Sequence, residues 1–333
     1  MPKGEVFSVK PQGVVPLFLI AAVFSACGTA DAPETLKSQC FVFDTYSSLT
    51  ICGSNAADTE KLVTEQLSEM DNLFDLCYDT EAAALPENEL YSGCIAETKR
   101  LNGLYGDGIN ISCGALTELW GISANEPKVP ADSEISEALK LMTSTDYPEN
   151  TADFPKGVKL DFGAVSKGYA CDRLYGMLDG TDYAVVSFNS TTLLYGEKPD
   201  GKRFRTGITN PKTGNGYIGI AETDSAFIST SGGYERFFEA DGETYCHIMD
   251  ISSGRPVQTD LASVTVIVPS DTAGGGIMSD FLSTLIFTEG TQSLDKWLAC
   301  KDFELIAADE NGIVYSNCKG FALDSSSGFT YGK

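Results

Sequence analysis

The sequence predicts an α+β fold, on three observations. Amphipathic helical spacing is confined mainly to residues 58–77, 90–102, 112–121, 134–143, 165–178 and 277–288. From Tyr183 onward short strand-like runs dominate, so helices and strands are segregated instead of alternating as a βαβ chain requires. With 333 residues, 42% hydrophobic and 21% charged, the chain can bury a sizeable core in one large domain or two smaller ones. Neither disorder nor a coiled coil fits that composition.

The elements follow in chain order. Lys3 and Lys10 precede the apolar run Val14 to Phe24, which contains Pro16 and is too short to span a bilayer. It fits the apolar core of a signal peptide, and Ser25-Ala26-Cys27-Gly28 places small residues before a cysteine, as at a bacterial lipoprotein processing site. Residues 1–26 are therefore expected to be removed, Cys27 to carry lipid, and residues 27–38 to tether the domain 39–333 to the outer side of a membrane. Ordinary secretion and a buried apolar segment are the competing readings. Phe41 to Cys52 reads as a strand. Leu62, Leu67, Met70, Leu73, Phe74 and Cys77 have near-helical spacing behind Asp58 and Thr59 as possible N-caps, which makes 58–77 a helix. Later strand-like runs lie at 183–188, 204–208, 217–221, 226–229, 263–268, 303–308 and 312–315.

Charge and cysteine content narrow the function. Lys plus Arg number 23 against 47 Asp plus Glu, a formal net charge of −24. Such a chain repels polyanions, so nucleic-acid binding through a phosphate-neutralising surface is excluded as an expectation. A phosphorylated small molecule would need local compensation, for which a divalent cation is the simplest source. One histidine, His247, rules out multi-histidine zinc sites and gives imidazole chemistry a single address. Beyond Cys27 nine cysteines remain, an odd number without C-x-x-C spacing, and mostly free thiols are expected.

Four segments can carry chemistry. Leu160 to Ala170 runs from a strand end bearing Asp161 through Gly163 into a helix start bearing Lys167, where free N–H groups, the helix dipole and an ammonium favour a phosphate. Gly274 to Ile286 puts Met278, Phe281, Leu282, Leu285 and Ile286 on a buried stripe, with Asp280 and Thr284 one turn apart beside it. Two hard oxygen donors so placed suit Mg²⁺, and they equally suit a helix-start acid with a threonine bonded back to its own helix. His247 ends a short strand before a Ser-Ser-Gly turn, where a lone histidine is often structural. Ser229 to Phe238 is a strand ending in a polar, glycine-rich turn that either lines a pocket or simply turns the chain.

In this order the segments resemble the ApbE family of FAD:protein FMN transferases, over roughly Phe41 to Gly290. Leu160 to Arg173 resembles D-[LF]-G-[GA]-[IV]-[AS]-K-G-Y-A-x-D-R, and Thr230 to Phe237 is similar to T-S-G-x-Y-x-R-F. His247 to Pro256 is similar to H-I-[IM]-D-P-x-[TS]-G-x-P, and Ser279 to Thr284 to A-D-A-L-S-T. Phe43-Asp44-Thr45 resembles M-[GD]-T, and Gly108 to Leu116 resembles G-x-[FM]-D-[IP]-T-[VI]-G-P-L. The resemblance implies an α+β fold packed around a central FAD cleft. It also implies Mg²⁺-dependent transfer of FMN from FAD to a threonine or serine hydroxyl of a partner flavoprotein, with release of AMP. The partner would carry an FMN-binding domain with a D-x-x-[ST]-G-A-[ST]-type motif, which this chain itself lacks.

Carried over residue by residue, the resemblance makes Asp280 and Thr284 metal ligands with the Ala164 carbonyl, and puts Asp161, Lys167 and Gly168 on the phosphate and flavin side. Phe43, Gly108, Ile109 and Asn110 fall at FAD-contact positions, Tyr78 where an aromatic stacks on a ring system, and Ile248 beside the cofactor. His247 is the candidate acid/base, with Asp280 the other possible proton acceptor. A FAD-binding lipoprotein without transfer, and a Mg²⁺-dependent FAD pyrophosphatase giving FMN and AMP, are the alternatives. Three positions depart from the pattern. Ser187 to Thr192 lacks a glycine pair that would allow close backbone approach to the cofactor, Asn110 replaces an aspartate, and Ile251 replaces a proline.

Overall fold

The computed structural model describes residues 33–123 and 126–332. The expected leader, Cys27 and half of the expected tether lie outside the described residues, and the tether boundary is corrected, because Thr35 to Ser38 already belong to the first strand. The first half holds β1 (Thr35–Val42), β2 (Thr45–Cys52), α1 (Ala56–Asp79), α2 (Glu89–Tyr105), α3 (Gly114–Trp120), α4 (Asp132–Leu141) and α5 (Ser166–Tyr175). Strands then take over: β3 (Tyr183–Ser187), β4 (Thr191–Gly196), β5 (Phe204–Thr209), β6 (Tyr217–Thr223), β7 (Ala226–Gly232), β8 (Phe237–Ala240), β9 (Glu243–Cys246), β10 (Met249–Asp250), β11 (Arg255–Pro256) and β12 (Leu261–Pro269). The chain ends with α6 (Gly275–Glu289), α7 (Leu294–Leu298), β13 (Glu304–Asp309), β14 (Ile313–Ser316), β15 (Phe321–Leu323) and β16 (Thr330–Tyr331).

All six periodic segments are helices, because each has an apolar stripe to bury. The seventh, α7, is too short to display a period. A nine-stranded sheet of order β1-β2-β3-β4-β7-β12-β13-β14-β16 forms the centre, antiparallel except at the β14–β16 pair. Its strands alternate between two cores. Phe227, Val264, Val266 and Val268 point to the face covered by the helices, whereas Ile228 and Ile267 point to the face covered by the small β15-β6-β5 sheet. β12 is therefore buried on both sides along almost its whole length. A third cluster joins Leu116, Trp120, Ile135, Ala138 and Met249 around α3 and α4.

The expected single strand Phe41 to Cys52 is corrected to a hairpin. β1 and β2 pair from Thr35↔Cys52 to Val42↔Thr45, leaving Phe43-Asp44 as a two-residue turn with φ of 53° and 56°. Turns with positive φ at both central residues normally carry Asn-Gly, so Phe-Asp hides this one from a sequence reading. Tertiary contacts hold it: Asp71 of α1 accepts the Phe43 N–H at 2.6 Å, and Arg236 donates to the Asp44 carbonyl at 3.2 Å.

The nine cysteines among the described residues are all free, and most are buried as small apolar groups. Among the described residues no helix is long and apolar enough to cross a membrane.

Candidate active site

The site is built on the crossing of α5 and α6, which approach so closely that only glycine fits at the contact. A Cβ on Gly168 would lie 2.2 Å from the Gly276 carbonyl oxygen and 2.7 Å from Asp280 Cβ, and one on Gly276 would lie 2.3 Å from the Gly168 carbonyl oxygen. The two helices also cap each other. Asp172 of α5 accepts the Gly276 and Ile277 N–H groups at 2.8 and 2.7 Å, and burial pushes its carboxyl up to about 6. In return, Asp280 of α6 accepts the Gly168 N–H at 2.9 Å through Oδ2 and lies 3.4 Å from Thr191 Oγ1 through Oδ1.

Gly168 is the third residue of α5, where a helix N–H has no partner within its own helix, and the Asp280 carboxylate supplies one. The Ala164 carbonyl lies in the turn before the helix, and among the described residues nothing donates to it. Asp280 is only 5% exposed, and burial raises its carboxyl while the Lys167 charge and the N–H groups oppose that rise. Thr284 follows one turn later, its hydroxyl 3.2 Å from the Asp280 carbonyl and 3.0 Å from Ser231 Oγ. Ser231 also meets Ser283 at 2.9 Å, and Ser229 meets Ser279 at 2.8 Å. Alternate residues of β7 thus match successive turns of α6, so the helix is buried nearly all round, beyond the single stripe that its spacing predicts.

His247 follows β9. Its N–H donates to the Arg236 carbonyl at 3.0 Å, and its Nδ1 lies 3.2 Å from the same oxygen. A carbonyl only accepts, so this bond requires the proton on Nδ1 and leaves the Nε2 lone pair free. Burial, together with the charges of Arg236 and Lys167, lowers the ring to about 4, so the imidazole is neutral at pH 7. Lys167 acts electrostatically on Asp280 as well as on His247, which ties the oxygen donors to the base.

The remaining expected residues fall into two groups, one around the Phe43 turn and one at a cavity. Tyr78, at the end of α1 and 42% exposed, feels the charges of Asp161, Asp44 and Arg236, and burial of its hydroxyl raises it above the usual phenol range. Asp161 accepts the Gly163 N–H at 2.7 Å, stiffening the turn into α5. The Phe43 ring packs against Phe188 at 5.5 Å and Phe74 at 6.3 Å. Ile248 is buried and its carbonyl accepts the Val257 N–H at 2.8 Å. The second group borders a cavity of about 780 Å³ lined by Gly108, Asn110, Tyr245, Met249, Val257 and Thr288, among others. Gly108 packs on α6, where a Cβ would meet Leu285, and buried Ile109 gives its carbonyl to Asn102. Of the expected residues only Gly108 and Asn110 line this cavity; Asp161, Lys167, His247, Asp280 and Thr284 lie outside it. Thr288, one turn beyond Thr284, connects the two along α6.

Two departures have structural explanations. Asn110 accepts from the Ser112 N–H at 2.9 Å and donates to the Thr143 carbonyl at 2.8 Å, a donation an aspartate cannot make. Asn189 sits at φ 64° in the β3–β4 turn, and asparagine tolerates that left-handed conformation where glycine is expected. The expected loss of backbone freedom there is therefore reduced. For Ile251 the structure offers no explanation.

Arg236, Thr191 and Ser231 were not singled out by residue chemistry alone. They contribute buried or clamping hydrogen bonds that appear only when β4, β7 and α6 are assembled, although Ser231 and Arg236 fall within the T-S-G-x-Y-x-R-F resemblance.

An α+β protein with hard oxygen donors and a helix-start lysine at a helix crossing, and one neutral imidazole held by a hairpin, is a class defined by fold and site together. The ApbE family model matches residues 43–307, and the chain belongs to that family. It is 30% identical over 206 residues to a Treponema pallidum protein named FAD:protein FMN transferase, covering 56% of this chain and 56% of that one. A Salmonella typhimurium protein of the same name is 25% identical over 306 residues, covering 82% of this chain and 86% of its own. The chain thus spans little more than half of the Treponema relative, and more of the Salmonella one. Among solved structures, the Thermotoga maritima ApbE protein superposes with a TM-score of 0.72 at 23% identity, over 85% of this chain and 97% of that one. The Pseudomonas stutzeri flavinyl transferase ApbE superposes with a TM-score of 0.70 at 22% identity, over 87% and 96%. The α+β architecture expected from the sequence is the architecture of these structures.

Proposed function

We propose that this chain transfers FMN from FAD to a threonine or serine hydroxyl of a partner flavoprotein and releases AMP. The observation that carries this reading is the buried Asp280 carboxylate, which accepts the Gly168 N–H at the start of α5, with the Thr284 hydroxyl one turn on along α6 and the Ala164 carbonyl in the turn that leads into α5. One carboxylate, one hydroxyl and one carbonyl are hard oxygen donors, and they fit Mg²⁺, which keeps its remaining positions for water and phosphate. When bound there, Mg²⁺ would neutralise diphosphate oxygens that this acidic chain otherwise repels.

The chain's own residues supply the rest. Lys167, near the start of α5, adds positive charge for the diphosphate. His247 Nε2 takes the proton of the acceptor hydroxyl as its oxygen bonds to the FMN phosphorus, and the bond from that phosphorus to the bridging oxygen breaks, so that AMP leaves with the electron pair. Phe43 and Tyr78 provide aromatic surface in the first group, and Gly108, Ile109 and Asn110 stand in the second. We further propose that Cys27 is lipidated and holds the enzyme on the outer face of a membrane, which intact-mass analysis of the mature protein tests.

The functional test is incubation with FAD, Mg²⁺ and an FMN-binding domain carrying the acceptor motif. Covalent flavin with stoichiometric AMP is expected, and it is expected to vanish in folded His247→Ala and Asp280→Ala variants. AMP with free FMN would point to a pyrophosphatase, and retained FAD without AMP to a binding protein. Undiminished transfer by both variants would overturn the assignment of the site.

A further inference from the structure

The Phe43-Asp44 turn and His247 belong to different parts of the chain, yet one residue holds both. The turn has two non-glycine residues at positive φ, a strained conformation that persists only where the surroundings hold it. On one side Asp71 accepts the Phe43 N–H at 2.6 Å. On the other, the Arg236 guanidinium donates from Nη2 to the Asp44 carbonyl at 3.2 Å, with Nη1 3.7 Å from the Asp44 carboxylate. The backbone of the same arginine holds His247 through both its main-chain N–H and its Nδ1.

We infer that Arg236 is the positioning residue of the site: its guanidinium anchors its own backbone to the Asp44 turn, and its carbonyl thereby holds His247 in the Nδ1–H tautomer with Nε2 facing the substrate. The inference rests on the transfer reading for what Nε2 does, but the tautomer it specifies is a property of the free protein. Arg236 precedes β8 immediately, and the β8–β9 hairpin returns the chain to His247, with Phe237 paired to Cys246. The carbonyl is thus held at two points, by hairpin pairing and by the guanidinium clamp. Removing the side chain takes away the tie to the Asp44 turn and leaves the two-stranded hairpin, held by the Phe238–Tyr245 stack and the Tyr245–Trp120 contact.

The charges facing the ring reinforce the geometry. Arg236 and Lys167 both disfavour a second proton on it. The guanidinium in turn lies among Asp44, Tyr78 and Glu235.

The single histidine makes the test direct. In tag-free, ¹⁵N-labelled full-length protein, the imidazole signals need no assignment among competitors, and they report which ring nitrogen carries hydrogen. At pH 7 the wild type is expected to show a protonated Nδ1 and an unprotonated Nε2. Arg236→Ala is expected to shift the ring toward a tautomer mixture and to lower kcat by about tenfold or more, with a smaller change in KM for FAD. Arg236→Lys keeps the charge without the planar fork, so it is expected to restore kcat only in part. A wild-type ring protonated on Nε2 overturns the inference without any variant. So does an Arg236→Ala protein with the wild-type tautomer and kcat. A wild type that shows the expected tautomer response but transfers no flavin refutes the transfer reading and leaves the positioning role standing.

Discussion

Replacing Gly168 by alanine sets two effects of opposite sign against each other. Helix propensity favours the change by about 1 kcal/mol, because alanine is the better helix former. The crossing with α6 opposes it. The new Cβ would lie 2.2 Å from the Gly276 carbonyl oxygen, where ordinary contact begins near 3.4 Å, and both nearest groups belong to the backbone or to Cβ of Asp280. The helices must therefore part by about 1 Å, an overpacking that typically costs 1–3 kcal/mol. Parting them also stretches the Gly168 N–H bond to the Asp280 carboxylate, a charge-assisted bond worth roughly 1.5–3 kcal/mol. Sterics win, and the net loss is about 2–4 kcal/mol, or roughly 3–6 °C in Tm for a chain of this size. Because Asp280 moves with α6, the Mg²⁺ concentration for half-maximal transfer should rise about tenfold. The assay is thermal or denaturant unfolding together with a Mg²⁺ titration of flavin transfer. Gly103→Ala in α2, whose Cβ meets nothing within 4 Å, is the control and should stabilise by up to about 1 kcal/mol. A Gly168→Ala protein that melts at or above the wild type, with unchanged Mg²⁺ demand, refutes the packing argument.

His247 gives a pH prediction with a definite sign. Its ring is lowered to about 4 in the folded state, so between pH 6.5 and 4 the unfolded chain binds more protons and the folded protein loses stability as pH falls. The difference in unfolding free energy between His247→Gln and wild type should therefore grow in favour of the variant as pH drops through that window. The ceiling is about 3 kcal/mol, reduced by solvent screening of a partly exposed ring, and a pH-independent difference would exclude the lowered ring. Asn110→Asp opposes a carboxylate to the Thr143 carbonyl and should cost about 1–3 kcal/mol by denaturant unfolding, with no gain in activity. Asn189→Gly should stay within about 1 kcal/mol of wild type with an unchanged KM for FAD, whereas Asn189→Val, at φ 64°, should lose about 1–2 kcal/mol. A large gain in affinity from Asn189→Gly would mean that the missing glycine does limit cofactor binding.

The relation between sequence and structure differs from element to element. Helices α1 to α6 were legible because each repeats an apolar stripe over several turns, and the strands of the second half because short β-rich runs are set off from them. The β1–β2 turn was not, because Phe43-Asp44 lacks the Asn-Gly or Asp-Gly pair of such turns and is held by Asp71 and Arg236 from remote parts of the chain. The spacing of Asp280 and Thr284 suggested neighbouring oxygens, and it left open whether they were ligands or ordinary helix residues.

By itself, the sequence determined composition and charge, the single imidazole, the periodic elements and the ordered motifs that mark the family. These are local in the chain or counted along it. Only the tertiary structure decided that Gly168 gives its N–H to Asp280, that Arg236 joins the strained turn to His247, and that the His247 Nδ1 faces the Arg236 carbonyl. Each of these depends on hydrogen bonds between residues far apart in sequence, whose geometry is set when α5 and α6 cross and the β8–β9 hairpin returns the chain. No local propensity encodes that meeting.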